Sequence, residues 1–308
     1  MLELQGHRGA RGLWPENTLA AFAGALEIGV STLELDCGLT RDGVVVVTHD
    51  PELNPDLTRG ADGRFLASTG PRISDLTFTE LASYDVGRLR PGSAYAARFP
   101  EQQPVDGERI PRLTDVLTLV RARAEGRVRV AIEVKTFPDQ PQRTATPAAF
   151  AAALKRDLEA TGTLAMVSIM AFDFRVLAAV QRLMPQAATV ALTEQGNGGD
   201  TVGLGAPRPS PWLGGLDPAC FGNSVVRLVK ATGAGTWGPD YQDLNAQRIA
   251  EAHALGLRVV PWTVNATVDM ERLLALGIDG MTTDRPDVLR ELLESKGLAV
   301  PPPCPGDL

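Results

Sequence analysis

Apolar and polar positions follow one another along the chain in two rhythms. Short runs of aliphatic and β-branched residues, such as "TLELDC" and "VRVAIEV", give way to longer stretches in which apolar residues recur every three or four positions, such as "NTLAAFAGALEIG" and "FRVLAAVQRLM". The first rhythm belongs to strands and the second to amphipathic helices. Strands are expected near residues 2–6, 32–37, 128–134, 164–169, 188–193, 235–238, 258–263 and 278–282, with helical patterns after most of them. Asn17 and Thr114 are placed to cap two of these helices, and several others end in glycine, which suits a left-handed cap. Strictly alternating strands and helices make a parallel sheet of βα units. Eight such units close most economically into a (β/α)8 TIM barrel, with a doubly wound open sheet as the structural alternative. No GxGxxG follows the first strand, and the sixth, in "GTWGPDY", has the poorest strand pattern, so a distorted barrel is expected.

Two segments break the rhythm. Residues 51–112, rich in Pro, Gly, Asp and Arg, are too long for an ordinary βα loop and are expected to form a small inserted subdomain after the second strand and its hairpin. Residues 195–217 are expected to be a long exposed loop, with Trp212 as a candidate lid contact. The reading is therefore a single barrel domain over residues 1–300, followed by a flexible tail at 301–308, where the prolines of "PPPCPGDL" forbid a helix.

In such a barrel chemistry sits where the strands end at their C-terminal side, so polar residues that terminate apolar runs are the candidates. They are concentrated. The first strand leads into His7 and Arg8, the second carries Glu34 and Asp36, and the third carries Glu133 and Lys135. Glu34 and Asp36 are two apart and share a strand face, as do Glu133 and Lys135. Carboxylates crowded on one face repel unless a positive charge lies among them. Three of them form an oxygen-rich site for one hard divalent cation, Mg²⁺ or Ca²⁺. Salt bridges to Arg8 and Lys135 alone would account for one or two of these acids.

A second histidine reaches the same end. "LTRDGVVVVTHD" reads as a hairpin around an Asp42-Gly43 turn, pairing Arg41 with Val44 and Asp36 with His49. His7 and His49 together suit general acid and base work, since imidazole takes and gives protons near neutrality. With a cation and Arg8 beside them, they suit metal-assisted phosphoryl chemistry. His253, inside a helical pattern, is read as structural or solvated.

Composition narrows the partners. The 308 residues are 44% hydrophobic and 22% charged, ordinary for a globular chain with a packed core. A net charge of -7 argues against nucleic acid, which needs a basic surface. No apolar run reaches the length of a membrane span and no signal-like segment opens the chain, so the expectation is a cytoplasmic protein without stable membrane insertion. Cys37, Cys220 and Cys304 are too widely and irregularly spaced for a disulfide framework or a zinc motif.

The ordered motifs resemble the glycerophosphodiester phosphodiesterase family. "GHRGARGLWPENTLAAF" is similar to its first signature, "LELDCGLTRDGVVVVTHD" to its second, "IPRLTDVL" and "AIEVK" to the next block, and "VVPWTVN" and "GIDGMTTDRPDVL" to its closing motifs. The resemblance implies a (β/α)8 barrel that uses a divalent cation to hydrolyse glycerophosphodiesters, small molecules, to glycerol 3-phosphate and an alcohol. It implies Glu34, Asp36 and Glu133 as metal ligands and His7 and His49 as acid and base. Arg8 and Lys135 would contact phosphate, and Trp262 would line the wall that receives glycerol. The sequence departs from the family pattern at "PELNPDLTRGADG", at "SIMAFDF" and in the 195–217 loop, which bears on the alcohol rather than the reaction. Two rival readings are a phospholipase D-like or phosphoinositide-type barrel acting on lipids, and a barrel that binds phosphodiesters without turnover.

Overall fold

Nine strands form a sheet that curls almost into a ring: β1 (Glu3–Gly6), β2 (Thr32–Leu39), β3 (Val45–Val47), β4 (Arg129–Val134), β5 (Val167–Ala171), β6 (Ala188–Thr193), β7 (Thr236–Pro239), β8 (Arg258–Val259) and β9 (Gly280–Thr283). Neighbours run β8-β7-β6-β5-β4-β2-β1-β9 and pair in parallel, while β3 folds back antiparallel on β2. Strand order follows chain order and the first strand lies beside the last, which a doubly wound sheet does not do. The architecture is a nearly closed (β/α)8 barrel. The structure, a computed structural model, describes residues 2–196 and 199–306. Part of the 195–217 loop (197 and 198), the last two tail positions and residue 1 lie outside the described residues.

The ring has a seam. Among the described residues β8 and β9 share no regular ladder. Single hydrogen bonds join their neighbourhoods: Asp279 N–H to Val259 O, Thr282 N–H to Pro261 O and Val264 N–H to Thr282 O, each 2.9 Å. The strand expected over 258–263 is cut to two residues, because Pro261 has no N–H to give a ladder. The strand expected at 164–169 lies later, since Leu164–Met166 form a 3₁₀ turn. The sixth barrel strand forms despite its sequence: Trp237 is fully buried and its indole N–H donates to Thr193 Oγ1 at 2.8 Å.

Around the ring lie α1 (Leu19–Ile28), α3 (Leu113–Ala124), α4 (Pro147–Thr161), α5 (Phe174–Leu183), α6 (Val225–Ala231), α7 (Ala246–Ala254), α8 (Thr267–Leu276) and α9 (Pro286–Ser295); α2 (Phe78–Leu81) belongs to the 51–112 segment. Helix α6, only seven residues long, has too few turns to declare a period in sequence. Two caps differ from expectation. Thr18, not Asn17, caps α1, accepting from Ala21 N–H, because Asn17 takes a φ of 58° and turns elsewhere. Helix α3 begins at Leu113 rather than at Thr114, its start held by Asp115 accepting the Arg112 N–H at 3.2 Å.

Strand alternation sorts the core. Leu33, Leu35 and Cys37 join the main apolar cluster with Phe22, Leu117 and Leu154, between sheet and helices. Inside the ring a smaller cluster, Ala131, Met170, Val190 and Leu192, packs with Phe172 and Trp262. Residues 51–112 carry a separate cluster in which Leu53, Ile73, Leu81 and Ile110 pack with Val46 of β3. Among the described tail residues, 301–306, two are docked. Pro301 and Cys304 are buried, Arg290 donates to Pro301 O at 2.6 Å, and Cys304 N–H donates to Leu26 O at 2.8 Å. Prolines bar a helix there but do not bar docking.

The loop after β1 depends on Gly9, at φ 86°, where an added Cβ would come within 2.8 Å of the Ala21 carbonyl carbon and Cβ. Gly9→Ala is expected to cost about 1–3 kcal/mol, read as a lower urea midpoint at unchanged slope. An unchanged midpoint would show that the loop relaxes around the methyl group.

Candidate functional site

The site forms where β1, β2 and β4 end. Arg8, the second residue past β1, holds a φ of 51°. That backbone lets its N–H donate to Glu34 Oε2 at 2.8 Å, while the guanidinium reaches Asp36 (Nε to Oδ2, 3.1 Å) and Glu16 (2.5 Å). From β4 and its end, Lys135 Nζ lies 3.0 Å from Asp36 Oδ1 and 2.5 Å from Glu133 Oε1. Asn17 donates to Asp36 Oδ2 at 2.9 Å, which is the work its unusual backbone serves. Glu34, Asp36 and Glu133 each bring a ligand oxygen within 4.8 Å of the others, all three buried.

Burial pushes the Glu34 carboxyl well above the usual range, and the neighbouring Asp36 and Glu133 charges add to it. Burial, with the Asp36 charge, also raises Glu133 against the pull of Lys135. Asp36 goes the other way: burial opposes its ionisation, but Lys135 and Arg8 together hold it well below the usual range. Three carboxylates against two cations leave the pocket short of positive charge. Asp36 Oδ1, wholly buried, lacks an aligned hydrogen bond even with Lys135 close by. An all-oxygen, buried, convergent donor set of this kind fits a hard divalent cation.

Each histidine is backed by a carboxylate. His7 Nδ1 and Asp284 Oδ1 are 2.6 Å apart, and Asp284 also accepts from Arg11 (2.9 and 3.0 Å) and Asn265 (2.7 Å). Despite its burial, Asp284 is kept ionised by His7 and Arg11, so it can only accept. The proton therefore sits on Nδ1, and Nε2, 3.8 Å from Glu34, is left free for chemistry. Burial, then Arg11, lowers His7 to about 4. His49 Nδ1 is 2.7 Å from Asp50, which accepts from Asn54 at 2.7 Å. Burial, Arg8 and Lys135 lower His49 as well. Asp50 is held at about 2: burial works against ionisation but the His49 contact outweighs it.

The hairpin that brings His49 is shifted by one residue from the expected register. Cys37 pairs with Val47, which sets Thr48 beside Asp36, its N–H donating to Asp36 O at 2.9 Å. The cause is Thr40, whose hydroxyl donates to Asp42 at 2.6 Å and accepts the Val44 N–H at 2.9 Å, closing a longer turn than Asp42-Gly43 alone. His49 still reaches the mouth, in one cavity of about 520 Å³ with His7, Arg8, Glu34, Glu133 and Lys135. Trp262 stands on the wall of that cavity, its N–H donating to Gly238 O at 2.9 Å and its ring edge-on to Phe172 at 5.4 Å. Trp212 lies edge-on to Phe137 and Phe172. His253 is far from this group in role, a half-exposed partner of Asp279. Sequence reasoning did not single out Asp284, Asp50 or Arg11, although Asp50 adjoins His49 and Asp284 ends the last strand. Nothing local marks Tyr95, which reaches out of the 51–112 segment to Glu16.

The family model for the glycerophosphoryl diester phosphodiesterase family matches residues 7–288, from the first histidine to α9. The chain belongs to this family. A glycerophosphodiester phosphodiesterase from Caldanaerobacter subterraneus subsp. tengcongensis is 27% identical over 295 residues, covering 94% of this chain and 97% of the relative. A solved Silicibacter pomeroyi protein assigned to the glycerophosphoryl diester phosphodiesterases is 32% identical, with a TM-score of 0.86 over 97% of this chain and 95% of that one. An Oleispira antarctica phosphodiesterase, solved in complex with the product sn-glycerol-3-phosphate, shares the fold at 21% identity, with a TM-score of 0.68 over 95% and 96% of the two chains. Among the described residues no helix is long and apolar enough to cross a membrane.

Proposed function

We propose that this member of the glycerophosphodiester phosphodiesterase family hydrolyses small glycerophosphodiesters to glycerol 3-phosphate and an alcohol, with one divalent cation and a histidine pair. The observation that carries the reading is the meeting of His7 and His49 with the Glu34, Asp36 and Glu133 triad in one cavity. Glu34, Asp36 and Glu133 would hold Mg²⁺ or Ca²⁺, which when bound supplies positive charge to the phosphoryl oxygens. Arg8 and Lys135, freed from neutralising the triad, offer donors to the same oxygens. Trp262 gives the carbon skeleton of glycerol an apolar wall. The Nε2 atoms of the two histidines would serve the reacting group: one takes the proton of the attacking oxygen as its bond to phosphorus forms, and the other returns a proton to the alcohol oxygen as its bond to phosphorus breaks. The attacking oxygen is that of water, or of the neighbouring glycerol hydroxyl with water then opening the cyclic phosphate. Asp284 and Asp50 fix both rings so that neither must turn to do this.

The test is direct. The chain, stripped with a chelator, is assayed for glycerol 3-phosphate from water-soluble glycerophosphodiesters with Mg²⁺ or Ca²⁺ returned in turn. Product that appears only with added cation supports the reading. Undiminished product in chelator overturns the cation's part, and tight substrate binding without product overturns the hydrolysis itself. Activity confined to detergent-dispersed lysophospholipid would favour the lipid reading instead.

A further inference from the structure

The wall facing the histidines and the triad has its own chemistry. The cavity that holds His7 and Glu34 also reaches Phe172 after β5, Glu194 after β6, and Asp240 and Trp262 beyond β7 and β8. A second cavity of about 490 Å³ opens from the same mouth, sharing His49, Glu133 and Lys135, and extends to Phe137 and Trp212. Phe172 and Glu194 line both, so they stand where the two meet. Phe137, Trp212, Phe172 and Trp262 follow one another edge to face across this wall, with centroids 5.4 to 6.4 Å apart.

Two carboxylates, Glu194 and Asp240, line the same space without a counter-charge among the described residues, while Arg143, over the Phe137 ring at 4.9 Å, is paired with Glu52. Among the described residues no lysine, arginine or histidine pairs with Glu194 or Asp240. Burial and the Asp240, Asp243 and Asp200 charges raise Glu194 to about 6. These acids do not converge on an ion: the triad is the only such group among the described residues whose oxygens approach within 4.8 Å of one another. A dispersed negative field beside aromatic faces is poorly suited to a metal and well suited to an organic cation, whose charge is spread over a bulky head.

Resting on the hydrolysis reading above, we infer that the part of this wall beyond Trp262, with Phe172, Trp212, Glu194 and Asp240, selects the alcohol half of the substrate, favouring cationic amino alcohols of the choline and ethanolamine class over neutral or anionic ones. The phosphate then lies at the cationic end of the cavity and the ammonium group at its acidic, aromatic end. Glu194 and Asp240 act on specificity through charge, and Phe172 and Trp212 through their ring faces.

The experiment compares kcat/KM for glycerophosphocholine, glycerophosphoethanolamine and glycerophosphoglycerol in the cation-loaded enzyme, in wild type, E194Q, D240N and the double variant. Wild type is expected to favour the two cationic substrates by roughly tenfold, and the double variant to bring that ratio close to one, chiefly through KM. Folding of the variants is read separately, as an unchanged urea midpoint, and the neutral substrate serves as the reference for each ratio. Free choline, used as an inhibitor of glycerophosphoglycerol hydrolysis, gives a reading that needs no comparison of substrates: it should bind wild type more tightly than E194Q. An equal fall for all three substrates would assign the two acids to the shared glycerol and overturn the inference, as would a substrate ratio that the variants leave unmoved. Absence of glycerol 3-phosphate from every substrate in wild type would instead overturn the hydrolysis reading itself.

Discussion

His7→Ala and His49→Ala should each lower kcat for glycerol 3-phosphate release by about 10²- to 10⁴-fold, the range that a positioned acid or base contributes. Both should remain folded. Removing His7 leaves Asp284 with Arg11 and Asn265, and removing His49 leaves Asp50 with Asn54, so neither variant strands a buried charge. The check is a product assay beside a urea titration. The Asp284→Asn and Asp50→Asn variants sharpen it: an amide in place of the carboxylate no longer demands a proton on Nδ1, so the ring is free to present the wrong nitrogen. Activity should fall there too, with the imidazole still in place. Undiminished kcat in both histidine variants would sink the proton-transfer scheme.

The triad should separate metal binding from stability. Glu34→Gln is expected to abolish tight cation binding and cut activity by about 10³-fold, since metal stabilisation of phosphoryl charge is worth several kcal/mol. In chelator the same variant should lose less stability than Asp36→Asn, because burial and its acidic neighbours raise Glu34 and disfavour its charge. Asp36→Asn should lose activity and stability together. It removes the charge shared by Arg8 and Lys135, and leaving buried charges uncompensated costs about 3–5 kcal/mol. The signs with pH differ accordingly. Asp36, depressed in the folded chain, stabilises above the ordinary carboxylate range, and that share is lost as pH falls through its lowered value. Glu34, raised in the folded chain, makes the metal-free protein less stable as pH climbs from the ordinary carboxylate range to its raised value. A cation must displace that proton, so affinity should rise with pH over the same window, with proton release visible by calorimetry in buffers of different ionisation heat. Binding without proton release, or Glu34→Gln retaining full affinity, would argue against the assignment.

Much of this site was legible because period-two alternation needs no distant information. Glu34 and Asp36 must share a face wherever their strand lies, and Glu133 and Lys135 likewise; barrel topology then brings the two strands together. The eightfold alternation also gave the ring. What escaped was settled by contacts far along the chain. Asp284 is 277 residues from His7 and meets it only because the ring closes. Tyr95 meets Glu16 across 79 residues, from a segment whose own sequence has neither the strand nor the helix period. The hairpin register turned on one hydroxyl, at Thr40, and Asn17 looked like a helix cap because a positive φ leaves no mark in sequence. The tail read as loose because proline excludes helix, but its carbonyls and Cys304 found partners on α1 and α9.

The seam between β8 and β9 gives the ring a preferred place to open. Its few isolated hydrogen bonds make it the segment whose amides should exchange with deuterium at the lowest cost in free energy. Asp284 stands at its upper end, tied to His7 on one side and Asn265 on the other. A fluctuation that parts these strands therefore breaks the Asn265 contact first, while His7, Arg11 and Asp284 stay together on the β1–β9 ladder. Heat should thus loosen the Asn265 side of the site before the His7–Asp284 pair, while the far-ultraviolet signal still reads as folded.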